Sequence, residues 1–160
     1  MGDLFGDWVP DSWIRRVLEA TQTAPRATFM FFTKNPERYR DFLDLFPPNS
    51  WLGATIETDI ECVASRYSQA PSVLDRLVAM RKLDWPNKVI SVEPIMVFSA
   101  AFPKLLIRTG ARLFYVGYDN HGSNLPEPPL ELTIKLIETL EASGAEVRKK
   151  TLRSTRWEDA

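Results

Sequence analysis

The feature that most limits how this chain can fold is a strand-like run followed by a helix-like segment, repeated from end to end. Residues 28–33 (Thr-Phe-Met-Phe-Phe-Thr) form a near-continuous apolar run, the pattern of a strand covered on both faces. Asn35-Pro36-Glu37 then opens a helix carrying Tyr39, Phe42, Leu43 and Phe46, which Pro47-Pro48 ends. Residues 51–57 read as the next strand and 71–83 as its helix, with Leu74, Leu77, Val78 and Met80 inward. The same alternation continues with a strand at 88–93, a helix at 99–108, a strand at 112–117, a helix at 130–143 closed by Gly144, and a last strand at 146–152. Ahead of it all, Pro10-Asp11-Ser12 starts a helix over 10–23, with Trp13, Ile14, Val17 and Leu18 at helical spacing on one face.

Strands joined through helices by short connections pair in parallel. The expected architecture is therefore α/β, a single domain over 1–160 made of consecutive βα units that form an incomplete, TIM-like barrel of five to six parallel strands. An open flavodoxin-like sheet also satisfies the alternation. Against it, no glycine-rich phosphate loop follows a strand. Polar residues instead mark the strand ends, where barrel enzymes carry their chemistry.

Composition narrows the function classes. The 160 residues are 44% apolar and 26% charged, ordinary values for a globular chain. Twenty basic and 21 acidic residues leave a formal charge of −1, so no global field draws the chain to nucleic acid or an anionic membrane. Only the stretch holding Arg148, Lys149, Lys150, Arg153 and Arg156 is locally basic, with Trp157 beside it. No apolar run approaches the roughly 20 residues that span a bilayer, and the first residues do not read as a signal peptide. The lone Cys62 suits a reducing, cytoplasmic setting, and with a single histidine the chain does not make up a protein-only zinc site.

In order, the strand ends carry Thr33-Lys34, Thr55 and Glu57, Ser91 and Glu93, and Tyr118-Asp119-Asn120. Asp3 joins this rim if residues 1–3 are the tail of a strand that begins upstream. Carboxylates, a lysine and hydroxyls around one mouth suit a zwitterionic ligand, acids on its ammonium and Lys34 on its carboxylate. Each residue also has a plain structural role open to it. Glu93 before Pro94 can turn the chain, Glu57 ahead of Thr58-Asp59 can cap a helix, and Lys34 can be a solvated turn residue. His121 reads as an exposed turn residue, Cys62 as a buried or half-buried small residue on a helix, and Phe29, Phe31 and Phe32 as core.

The ordered set Asp3-Leu4-Phe5, Thr33-Lys34-Asn35-Pro36-Glu37-Arg38-Tyr39, Trp51-Leu52-Gly53 and Ser91-Val92-Glu93-Pro94-Ile95 resembles the radical S-adenosylmethionine proteins. The likeness is to their phage- and bacteria-associated branch of unknown function related to spore photoproduct lyase. The segment Ala70-Pro71-Ser72, with Arg76-Leu77 and Met80-Arg81, resembles the helix after that group's fourth strand. The resemblance implies a partial βα barrel and a [4Fe–4S] cluster held by a Cys-x3-Cys-x2-Cys loop after the first strand, with S-adenosylmethionine bound to it. Cluster ligation takes several thiolates, and this chain has one, Cys62, outside that pattern. What the resemblance carries over is a cofactor cradle of Asp3, Thr33, Lys34, Thr55, Glu57, Arg76 and Glu93, with Asp119 and Asn120 as substrate contacts.

Two function classes follow. The chain is either the C-terminal part of a radical S-adenosylmethionine-like protein, inactive alone, or a non-catalytic binding or assembly module. Unpaired edges of an incomplete barrel imply self-association or pairing with an upstream-encoded segment. A third reading assigns nucleic-acid handling to the basic tail 148–156, against the neutral charge of the remainder.

Overall fold

The computed structural model describes residues 2–154. Five strands, β1 (Met30–Thr33), β2 (Trp51–Thr55), β3 (Lys88–Val92), β4 (Leu113–Val116) and β5 (Glu146–Lys149), form one sheet. Every neighbouring pair is parallel, and the spatial order is the chain order β1-β2-β3-β4-β5. The sheet is open, with β1 and β5 at its two edges. The α/β class, the parallel pairing and each expected strand are thus present.

Ahead of β1 lies α1 (Asp11–Gln22), and between the strands lie a 3-10 helix at Pro36–Leu45, α2 (Glu61–Ala64), α3 (Val73–Lys82), α4 (Phe102–Ile107) and α5 (Leu130–Ala142). Side chains alternate along a strand, so each strand sends one set of residues to each face. Leu52, Ala54 and Ile56, Ile90 and Val92, and Phe114 and Val116 all point one way. They share one hydrophobic cluster with Ile14, Leu18, Leu77, Met80, Phe102, Leu106, Leu136, Ile137 and Leu140 from the helices. The helices therefore seal a single face.

That one-sided coverage corrects several expectations. The run 28–33 is not buried on both faces, because Met30 is exposed and Phe32 half-buried on the uncovered side. Of Phe29, Phe31 and Phe32, only Phe31 packs against the common core. On α1, Ile14 and Leu18 turn inward while Trp13 is 66% and Val17 41% exposed. On α3, Leu77 and Met80 are buried, but Leu74 is 65% and Val78 38% exposed. Both helices lie on the outside of the layer, where only a narrow stripe meets the sheet. Cys62, expected on a helix and at least half covered, is on α2 but exposed.

Polar ties close the framework. The Tyr39 hydroxyl lies 3.0 Å from the Phe31 carbonyl and 2.8 Å from that of Gly53, joining β1 to β2, and burial pushes its pKa up. The Lys88 ammonium donates to the carbonyls of Met80 (3.1 Å) and Leu83 (3.2 Å) at the end of α3, and burial lowers its pKa. Gly110, at φ +74°, lets the chain turn beside that ammonium, where a Cβ would stand 3.1 Å from it.

Candidate functional site

The strand ends converge as the parallel arrangement demands. Asp3 Oδ2 accepts from the Thr33 hydroxyl (2.9 Å) and the Lys34 amide (2.8 Å), while Oδ1 accepts from the Phe5 amide (2.9 Å). The Lys34 ammonium pairs with Glu57 Oε1. Glu57 Oε2 takes Arg76 Nη1 at 2.8 Å, and the same Nη1 donates to the Thr55 carbonyl at 2.8 Å. Asp3, Thr33, Lys34, Glu57, Arg76 and the Thr55 backbone therefore form one bonded series across four segments. Arg76 and Glu57 are 1% and 3% exposed, and the Arg76 Nε has no hydrogen-bond partner among the described residues.

Two acids and two bases make this series neutral, and that determines what each can do. Both Glu57 oxygens hold a cation, so its charge is satisfied internally. Asp3 is committed to fixing the backbone at Lys34. Lys34 has the freedom: its side chain is 35% exposed, and an ammonium paired once keeps two further N–H donors.

Lys34 and Glu57 open onto a cleft of about 320 Å³, shared with Tyr67, Ser68, Met96, Asp119 and His121. The Asp119 carboxylate is turned into its own loop, accepting from the His121 amide (3.0 Å) and the Ser123 amide (2.5 Å). Burial alone would raise its pKa, but these bonds and nearby His121 outweigh that and hold it below the usual value. The loop is pinned from behind by Arg153, which forms a two-pronged pair with Glu127 (2.6 and 2.9 Å) and donates to the Asp119 carbonyl (3.1 Å). His121 is exposed, as expected.

The remaining predicted residues sit apart from this series. Glu93 and the Thr55 side chain line a second groove of about 400 Å³ on the uncovered sheet face, with Met30, Phe32, Ser91, Tyr115 and Lys150. Asn120 reaches Glu93 only at 3.4 Å. The sequence reading did not single out Tyr115 or Lys150 as site residues, although alternation in Leu113-Phe114-Tyr115-Val116 already sets Tyr115 opposite the core-facing Phe114. In the basic tail, Arg148 pairs with Glu146, Lys149 with Glu141 and Arg153 with Glu127. Arg156 and Trp157 lie outside the described residues.

Among the described residues, no group of three or more His, Cys, Asp or Glu side chains is placed to hold a metal ion. No helix among them is long and apolar enough to cross a membrane. Residues 1–98 match the family described as "Protein of unknown function (DUF5131)". The chain belongs to that family. No curated protein and no solved structure matches it. Within this DUF5131 chain the matched segment includes Asp3, Thr33, Lys34, Thr55, Glu57, Arg76 and Glu93, while the loop bearing Asp119 and Asn120 lies beyond it.

Proposed function

We propose that this DUF5131 chain is the ligand-binding portion of a partial, TIM-like βα barrel related to the radical S-adenosylmethionine proteins, and that it is not catalytic on its own. The observation that carries the reading is the bonded series Asp3–Lys34–Glu57–Arg76, which gathers residues from successive parallel segments at the edge of one cleft. This is where βα barrels hold their ligands.

The residues suit one of the two groups the resemblance implies better than the other. A [4Fe–4S] cluster does not fit, because the sequence has one cysteine and it is exposed on α2. S-adenosylmethionine fits better: its carboxylate would meet the two free donors of Lys34, and its apolar parts would meet Met96 and Tyr67. Glu57 and Asp3 act through Lys34 as positioning residues, whereas Glu93 and the Thr55 side chain line the other groove and do not face this cleft.

Titration calorimetry with S-adenosylmethionine is the test. One-to-one binding is expected, weakened at least about tenfold (1.4 kcal/mol) by Lys34→Ala. No heat at millimolar ligand would remove the cradle.

A second reading is favoured by the open sheet. Edge strands leave backbone donors and acceptors unpaired, a state proteins usually cover. As an assembly module the chain would pair β1 with a second copy or with an upstream-encoded strand. Sedimentation as a monomer at tens of micromolar protein would end the self-association form of that reading.

A further inference from the structure

One row of side chains crosses the uncovered face of the sheet. The register places Thr55 beside Ser91, Ser91 beside Tyr115, and Tyr115 beside Arg148. Met30 and Phe32 extend the same face on β1. Phe32 meets the Tyr115 ring edge-on (centroids 6.1 Å apart, planes at 70°) and lies against Gly53, where a Cβ would come within 2.8 Å of the phenyl ring. The Tyr115 hydroxyl is held by Arg148 Nη1 at 3.2 Å and reaches the Met30 sulfur at 3.8 Å. The ring is therefore fixed from several sides while remaining half-exposed.

Charge is divided across this groove. Lys150 stands over the Tyr115 ring (5.2 Å to its centroid) and, among the described residues, forms no ion pair. Arg148 lies 5.8 Å from the same ring. Glu93, just past the end of β3, lines the groove and, among the described residues, forms no ion pair; Asn120 reaches it at 3.4 Å. A charge left unpaired in a shared groove is free for a ligand of opposite sign.

We propose that this face binds a mononucleotide. The heterocycle stacks on Tyr115 against Phe32, taking the place that the Lys150 ammonium occupies over the ring. The flexible, exposed Lys150 follows the phosphate, with Arg148 beside it. Glu93 accepts from an N–H of the base or from a ribose hydroxyl, and the Ser91 and Thr55 hydroxyls lie in the same row. A groove of about 400 Å³ is within the range of small-ligand sites. A peptide would not use a phosphate-binding pair, and a nucleic-acid strand would need more than Lys150, the one uncompensated cation of this face among the described residues. The site is separate from the Lys34 cleft and does not depend on S-adenosylmethionine binding there.

Calorimetric titration of the 160-residue chain with adenosine and uridine monophosphates tests it. Both should bind one-to-one, and adenosine or inorganic phosphate alone at least about tenfold more weakly. Lys150→Ala and Tyr115→Ala should each weaken the monophosphates about tenfold, Tyr115→Phe should not, and Lys34→Ala should leave them unchanged. If Tyr115→Ala does not fold, Lys150→Glu gives the same test from the surface. Absence of binding at millimolar nucleotide, indifference to Lys150, or loss of affinity on Lys34→Ala would overturn the proposal. So would a ten-residue oligonucleotide binding about a hundredfold more tightly than the monophosphate, which would assign the face to single-stranded nucleic acid.

Discussion

The two faces of the sheet are built from the same five strands and have become chemically opposite. On the helix side, Leu52, Ala54, Ile90, Val92, Phe114 and Val116 are all fully buried. On the other side Val89 and Leu113 are buried too, but Met30, Phe32, Thr55, Ser91, Tyr115 and Arg148 are half-covered or exposed. Sequential strand order explains the difference. When each connecting helix returns on the same side, one face receives every helix and the other receives none. Stability should therefore reside on the sealed face and ligand chemistry on the open face and at the strand ends.

The largest effect should come from the buried charge pair that anchors the mouth to the sealed side. Glu57→Ala leaves Arg76, which is 1% exposed, with only the Thr55 carbonyl as partner. Stranding a buried charge costs about 3–5 kcal/mol. Urea unfolding should show a loss of that order, and a loss below about 1 kcal/mol would mean that water reaches the pair in solution.

The direct comparison of the faces uses one residue type. Phe114→Ala removes a fully buried ring from the helix side and should cost about 3–5 kcal/mol. Phe32→Ala removes a half-exposed ring from the open side and should cost about 1 kcal/mol. Equal costs would show that something covers the open face in solution, as an assembly module requires.

Which parts of this were legible in the sequence follows from the range of the interactions involved. Each strand and nearly every helix was marked by local pattern, because apolar alternation and proline or glycine stops act within a few residues. The exception in kind is Pro36–Leu45, expected as an ordinary helix and wound as a 3-10 helix. Facing was less legible. Trp13 and Val17 share helical spacing with the buried Ile14 and Leu18, and only the position of the sheet decides which pair turns inward. The convergence of Asp3, Lys34 and Glu57 was readable from their places at strand ends, whereas Arg76 entered only through the family resemblance. Their mutual neutralisation was not, because it depends on distances between segments far apart in the chain. The same limit hid Tyr115, whose importance comes from Phe32 and Lys150 reaching it across the sheet.

The smallest effect is confined to the mouth, and pH exposes it. Asp119 holds the loop wall of the cleft by accepting from the His121 and Ser123 amides, and its folded pKa lies below the ordinary 3.8. A carboxyl group depressed on folding contributes stability that is present above its unfolded pKa and lost as pH falls through the folded value. Neutral solutions therefore retain the whole contribution, about 1 kcal/mol for such charge-assisted bonds near solvent. Amide exchange at His121 and Ser123 should stay slow from pH 7 down to about 4, after correction for intrinsic rates, and lose protection below the ordinary carboxylate range. The strands beneath, held by the sealed face, should keep their protection over the same titration. Asp119→Asn should bring the acid behaviour of the loop to neutral pH without changing exchange in β3 or β4. If the strands opened together with the loop, the mouth would be part of the same cooperative unit as the sealed core, and the separation of the two regions would be wrong.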